Sequence, residues 1–439
     1  MPGFVDGGRG GTLGNISSAG VAGAAHNPAA GALQLDARQN YRGAYWNLFA
    51  FGLEAGPVDG FVERIEDLEG CLEEVVEELC RSADGRTLRP VGDDSIQLDE
   101  AEALQQEFNA LLAEIGERAY LNLGLQLNLP GMPLVTRRGS GFWGVDLHAS
   151  GNARVTVLDD PLRYNAFSQD IDTNTAVYLK TARFLRLGLS YARPLKEEFD
   201  RWLPGYTRGE FYGGVRLSVL QGTLAKVITA IDGEDSTGES AFDRAEDSYE
   251  DAEESSTNVA LDLGLMWRYQ QVEAGLTLRN INSPSFDYGP IGVDCGAPGL
   301  SEGARFDCLV AASFSDRIAQ RESFEMNPQA TAEASWLLAN GQARLSASVD
   351  LNPANSPTGV EYQWMVLGLA YTPQTWWAPG LRLGYRSNLG EDGIDSIALG
   401  LTLFGVLNID VSQSSDTVII DGDKYPRAAS VSLGFEMPL

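Results

Sequence analysis

A two-residue alternation of apolar and polar side chains recurs along the chain and limits it to one broad architecture. Leu121, Leu123, Leu125, Leu127 and Leu129 alternate with Asn122, Gly124, Gln126 and Asn128. Leu261, Leu263, Leu265, Trp267 and Tyr269 alternate with Asp262, Gly264, Met266 and Arg268, and Val431, Leu433, Phe435, Met437 and Leu439 carry the beat to the last residue. Successive residues of a strand point to opposite faces, so each segment has one apolar and one polar wall. Repeated with turns between, the pattern predicts a large all-β sheet facing two different solvents.

Those solvents are water and a dry core in a soluble sandwich, or lipid and a wet lumen in a transmembrane barrel. Three features favour the barrel. No apolar run approaches the ~20 residues of a membrane helix, so a spanning structure has to use strands. Many segments reach the roughly 9–11 residues of a tilted membrane strand. Aromatics crowd segment ends at Trp46/Phe49/Phe51, Phe142/Trp143, Phe211/Tyr212, Trp267/Tyr269 and Trp376/Trp377, where an interfacial girdle belongs.

Sixteen segments read as strands, near 36–53, 119–129, 140–157, 171–182, 184–193, 209–220, 223–231, 255–269, 272–282, 326–338, 342–352, 360–372, 380–388, 394–404, 406–414 and 427–438. The breaks at Arg183 and at Gln221-Gly222 are weak, so fourteen strands is the alternative. Short and long connections alternate, with Asn340-Gly341 a good hairpin signal. Outer-membrane barrels join strands by short periplasmic turns and longer outer loops. That parity assigns 54–118, 158–170, 194–208, 232–254 and 283–325 to the outer face.

Net charge is −29 over 439 residues, which argues against nucleic acid as a partner. The charge is concentrated. Pro57 to Arg118 holds 18 acidic against 5 basic residues, and Asp232 to Glu254 holds 11 against 1. The first excursion carries helical periodicity in Phe61, Ile65, Leu68, Leu72, Val75, Val76 and Leu79. A second helix, capped by Asp99, carries Ala101, Leu104, Phe108, Leu111, Leu112 and Ile115. It reads as a self-packed helical pair with a solvated acidic face, or as a lid or partner-docking hairpin over the pore. No signal peptide is visible, and the barrel reading expects one to have been removed.

Of four cysteines, Cys295 and Cys308 bracket a Gly/Pro-rich loop and are expected to pair. Cys71 and Cys80 pair only if their helix breaks between them. No metal, cofactor or catalytic constellation is expected. Asp146, His148 and Ser150 share one strand face, but residues two and four apart lie roughly 7 and 14 Å apart, too far for a relay. The polar faces carry Asp146, Arg186, Arg216, Asp262, Arg268, Glu273, Arg279, Arg344, Asp350, Arg382, Arg386 and Asp410. In a wet lumen these brace the wall, hold a plug or guide a solute.

The run Gly20-Val21-Ala22-Gly23 leading to Asn27-Pro28-Ala29 resembles the N-terminal hatch of the FadL-type outer-membrane long-chain fatty-acid transporter superfamily. Leu351-Asn352-Pro353, Tyr362-Gln363-Trp364, Gly380 to Leu389 and Val431 to Glu436 resemble the conjugal-transfer TraF-type barrels, as does an acidic helical excursion after the first strand. The resemblance implies a hatch-plugged barrel moving hydrophobic molecules inward, often by lateral escape through the wall. The expected architecture is thus an all-β transmembrane antiparallel barrel of 14–16 strands in the bacterial outer membrane. Residues 1–35 form the hatch, with Asn27, Pro28 and Ala29 as hatch residues, and residues 36–439 form the barrel, with a helical extracellular insertion at 57–118. Expected partners are outer-membrane lipid and a small hydrophobic or amphipathic ligand taken up passively. The alternative is a non-transporting surface or assembly protein that binds a protein partner through its acidic loops.

Overall fold

The computed structural model describes residues 10–14, 23–35, 42–58, 98–130, 132–138, 141–165, 170–195, 208–231, 252–390, 393–420 and 423–438, with a few isolated positions between them. The first acidic helix, Cys71, Cys80 and most of the 232–254 segment lie outside these residues. The wall begins with β1 (Arg42–Ala55), β2 (Tyr120–Asn128), β3 (Leu134–Arg138), β4 (Gly141–Leu158), β5 (Ala176–Pro194) and β6 (Glu210–Ala230). It continues through β7 (Glu254–Tyr269) and β8 (Val272–Arg279). After a short hairpin, β9 (Ser285–Asp287) with β10 (Ser323–Glu325), come β11 (Gln329–Leu338), β12 (Ala343–Asp350) and β13 (Trp364–Tyr371). β14 (Gly380–Asn388), β15 (Asp395–Leu403), β16 (Leu407–Ser414) and β17 (Ala428–Pro438) complete it.

Every neighbour in the wall is antiparallel, and β17 pairs with β1 from Gly43↔Pro438 to Glu54↔Ala428. The sheet therefore has no edge, which removes the unpaired backbone that hydrocarbon cannot solvate. β2 and β3 share one wall position between β1 and β4, so the ring has fourteen. The transmembrane barrel is fourteen-stranded.

Sixteen sequence segments become fourteen strands because Arg183 and Gln221 sit inside β5 and β6, paired with Thr223 and Leu185. An outward polar residue interrupts hydrophobic alternation without interrupting the backbone ladder. The merger also moves the 195–209 connection from the loop end, where the sequence parity put it, to the turn end. The expected turn at 130–139 is likewise different: the chain bulges at 129–133, resumes the same wall position in β3 and turns at 139–140.

The wall is inverted relative to a soluble protein. Leu217 is 53% exposed and Leu399 57%, while Ser218 and Asp262 are fully buried. The outward leucines face lipid, and the polar residues face a filled interior. Helix α4 below is named in chain order after three short ones: α1 (Gly10–Leu13), α2 (Gly23–His26), α3 (Ala30–Leu35), α4 (Leu98–Arg118). Leu112 and Ile115 of α4 pack on Val157, Val177 and Ile231, so this helix lies on the protruding sheet and is not confined to a self-packed pair.

The outward position of Leu217 supplies a test. Leu217→Arg should cost about 2–4 kcal/mol near the bilayer midplane. Denaturant unfolding from lipid vesicles reads this out, and an unchanged midpoint would contradict the outward apolar belt.

Candidate functional site

The N-terminal segment lies inside the ring, between opposite walls. α1 abuts β13 to β16, while α2 and α3 abut β4 to β7. Facing glycines make room for it. Gly214 and Gly264 are register partners, and a Cβ on either would collide with the Asn27-Pro28-Ala29 box. Gly368 and Gly384 are register partners on the other wall, where a Cβ would strike the Thr12 backbone. Only glycine lets the two backbones approach this closely.

Asn27 is fully buried and ties the box together. Its Oδ1 accepts from the Ala29 N–H at 2.9 Å, a local turn of the kind asparagine favours. Its Nδ2 points at the Leu265 and Leu276 carbonyls and Glu333 Oε1, each at 3.4 Å. Pro28 and Ala29 follow against β6 and β7, and α3 continues to Leu33. Ala24, Ala29, Ala32 and Leu33 pack with Tyr45, Val135, Phe142, Ala192, Tyr212 and Met266 of the wall. Small residues let a helix this short fill a narrow lumen.

Asp146, Arg186, Arg216, Arg268, Arg279, Arg344, Arg382 and Arg386 all occupy inward positions of the wall, alternating with outward neighbours. They fall into separate groups. Asp262 receives Arg186 Nη2 at 2.6 Å, Arg216 Nε at 2.9 Å and the Asn280 N–H at 2.8 Å. Arg216 also donates to the Ala25 carbonyl of the plug, so wall and plug share one charge network. Asp146 lies 3.8 Å from His148 Nδ1 at the edge of this group. Glu273 pairs with Arg268 at 2.8 Å and Arg344 at 3.0 Å. Arg382 forks onto Asp410 through two 3.0 Å bonds, and Asp410 accepts from Thr12 Oγ1 of the plug at 2.9 Å. Arg386 stacks over Trp364 at 3.5 Å, and Arg279 lies near the loop end of β8.

Toward the loop end the lumen becomes apolar. The β9–β10 hairpin inserts Phe286 and Phe324 against Phe184, Leu220, Leu224 and Ala260. Phe286 meets Phe184 edge-on at 5.1 Å, and Gly222 leaves space for both rings. The helix α5 (Glu302–Ser313) follows, and its Val310 and Ala311 pack on Tyr178 and Ile228. Cys295 and Cys308 are bonded within the same connection, with Cα atoms 5.4 Å apart. This cap is pinned by Glu322, which pairs with Lys180 at 2.6 Å and lies 3.7 Å from Lys226. The Tyr288 hydroxyl donates to the Pro357 carbonyl of the next long loop, so two connections meet over the mouth.

The wall has one interruption among the described residues. Between Asn128 and Leu134, Pro130 and Pro133 lack N–H donors, and the β1 residues opposite, 46–49, have no ladder partner on that side. Leu129 still donates to Leu147 at 3.1 Å, and Tyr45 donates to Pro133 at 3.3 Å. The plug's apolar cluster, with Tyr45, Val135 and Phe142, lies directly behind this bulge.

Sequence reasoning missed Thr12, the facing glycine pairs, the Lys180–Lys226–Glu322 group and the aromatic cap. The glycines had a signal, since each occupies an inward position in an alternating strand. Glu322 had none, because its partners are about 140 and 100 residues away in sequence.

The fold and its contents define a plugged transmembrane barrel. The sequence profile of the family described as "F plasmid transfer operon, TraF, protein" matches residues 24–350, and the chain belongs to that family. Among solved structures, a TodX deltaS2S3 mutant monoaromatic hydrocarbon channel is similar at 10% identity, covering 99% of this chain and 98% of that one, with a TM-score of 0.45. The Ralstonia pickettii toluene transporter TbuX is similar at 10% identity over 98% and 97%, with a TM-score of 0.44. A Pseudomonas aeruginosa FadL homologue is similar at 11% over 99% and 97%, with a TM-score of 0.43. No curated protein sequence matches the chain.

Removing Asp262 would leave Arg186 and Arg216 buried without their shared counter-charge. Asp262→Ala should therefore destabilise the barrel by about 3–5 kcal/mol. Denaturant unfolding of the detergent-solubilised protein measures it, and a loss below ~1 kcal/mol would show that the network is not structural.

Proposed function

We propose that the protein is an outer-membrane channel for passive uptake of a small hydrophobic or amphipathic compound, with residues 10–35 as its hatch. The observation that carries this reading is the position of the plug's apolar cluster behind the bulged wall at 129–133. An apolar solute released there has hydrocarbon on one side and Tyr45, Val135, Phe142 and Leu33 on the other. It need not cross the polar lower lumen. The apolar patch under the cap, built from Phe184, Leu220, Leu224, Phe286 and Phe324, supplies the entry side. The structural neighbours described as hydrocarbon channels and a toluene transporter are consistent with solutes of this class.

One observation favours the second reading, a non-transporting surface or assembly protein. The cavity beside Gly11, Thr12 and Asp410 is only about 10 Å³, room for one water. Transport on our reading therefore requires both the cap and the hatch to shift, and the proposal is tested at those two places.

Gly264→Leu places a side chain where Asn27 and Pro28 sit and should expel the hatch. Planar-bilayer recordings should then show conductance well above the parent protein. Glu322→Ala should release the cap and speed entry of a hydrophobic fluorophore into protein-containing vesicles. A folded Gly264→Leu barrel with parental conductance would refute the hatch. Parental fluorophore uptake in Glu322→Ala, no faster than in protein-free vesicles, would favour the assembly reading.

A further inference from the structure

Outside the lumen, the lipid-facing wall carries a depression that the uptake reading does not use. Two adjacent cross-strand rows form it. Leu125, Gly151, Arg183 and Thr223 are successive register partners across β2, β4, β5 and β6. Leu127, Ala149, Leu185 and Gln221 form the next row. Each row has a large apolar residue on β2, a small one on β4 and a large residue on β5. The small residues are the floor. A Cβ built on Gly151 meets nothing within 4 Å, and the hollow measures about 370 Å³. That volume falls within the usual range of ligand sites, ~300–1,000 Å³.

The depression sits at a particular depth. Trp143 and Tyr191 stack at 4.9 Å and mark the aromatic girdle at the turn end of β4 and β5. Arg183 is eight residues from Tyr191 along β5. At ~3.3 Å per residue this is roughly 26 Å along the strand. With a tilt of 35–45° it becomes about 20 Å along the bilayer normal, close to the ~25 Å height of an apolar band. Outward residues change character at the same level: Leu185, Leu187 and Leu189 lie on the girdle side of Arg183, and Gln221 and Thr223 lie beside it. The hollow therefore straddles hydrocarbon and headgroups, with Leu125, Leu127 and Leu185 on the apolar side.

We propose that this depression binds one glycerophospholipid with an anionic headgroup, its acyl chain lying over Ala149 and Gly151 and its phosphate on Arg183. Charge complementarity selects the headgroup. Arg183 is 59% exposed even though its Nη2 pairs with Glu253 and its guanidinium lies 5.7 Å from the Tyr249 ring. Those two contacts orient the planar fork, which suits phosphate better than a lysine would. Gln221 and Thr223 add polar groups on the adjoining strand. The site is continuous with the lipid-facing belt, so its occupant reaches it by lateral diffusion. The inference does not depend on whether the lumen conducts.

The test is native mass spectrometry of the full-length protein, released from detergent containing phosphatidylglycerol, phosphatidylcholine or diacylglycerol. One phosphatidylglycerol should remain bound per chain, at least about tenfold more than either other lipid. Arg183→Gln should reduce that retention about tenfold, and Gly151→Trp, which fills the floor, should abolish it. Glu253→Gln keeps the cation while removing its partner, so it should retain the lipid at or above the parental level. All three variants change lipid-facing or loop positions, and heat-modifiable gel mobility reports that each has folded. Equal retention of the three lipids, or parental retention in folded Gly151→Trp, would overturn the site. Loss of lipid in Gly151→Trp with parental retention in Arg183→Gln would overturn the role of the charge.

Discussion

Closure of the sheet with its apolar face outward is the constraint from which the remaining features follow. Lipid occupies the outside, so each charged side chain on the wall is committed to the inside. There it meets other wall residues instead of bulk water. Asp262 illustrates the solution, with two guanidiniums and a backbone N–H converging on one carboxylate. An isolated buried arginine would be far more costly than this cluster. Because Arg216 also reaches the Ala25 carbonyl, the group that satisfies the wall also holds the plug.

The two obstructions in the lumen are held differently. The plug is held by backbone shape: facing glycines on opposite walls receive Thr12 and the Asn27-Pro28-Ala29 box, and buried polar bonds fix the register. Each contact depends on several others, so displacing the plug disturbs many at once. The cap relies on ring packing plus the Glu322 ion pairs, and Glu322 is partly solvated. Partly solvated pairs contribute less than buried ones. This ordering makes the cap the first element to yield and the plug the second.

Strand identity and facing were legible in the sequence because a period of two fixes which side chains share a face. Leu261, Asp262 and Leu263 could be sorted without coordinates, and so could Arg216 and Arg382. Strand ends were less legible. Arg183 and Gln221 looked like breaks because a polar residue on the lipid side resembles a turn, although the ladder passes through both. The bulge at 129–133 failed in the opposite sense: two prolines suggested a turn, yet β3 returns to the same position beside β4. Contacts between distant segments, such as Lys180 with Glu322, leave no periodic trace and needed the fold.

The uneven strand lengths explain why helices accompany this barrel. β4, β5 and β6 have 18, 19 and 21 residues, against 8 or 9 in β12 to β16. Their surplus projects beyond the membrane, where both faces of the sheet need cover. On the outer face Val155, Val157 and Val177 meet Leu111, Leu112 and Ile115 of α4. On the inner face Leu158, Tyr178 and Ile228 meet Val310, Ala311 and Phe314 of the cap. The sheet extension is thus the core of a small extramembrane layer, and the cap is one of its faces. Opening the mouth removes apolar cover from the extended strands, so the cap can leave only if something apolar replaces Phe286 and Phe324. A hydrophobic solute meets that requirement, and a polar one does not.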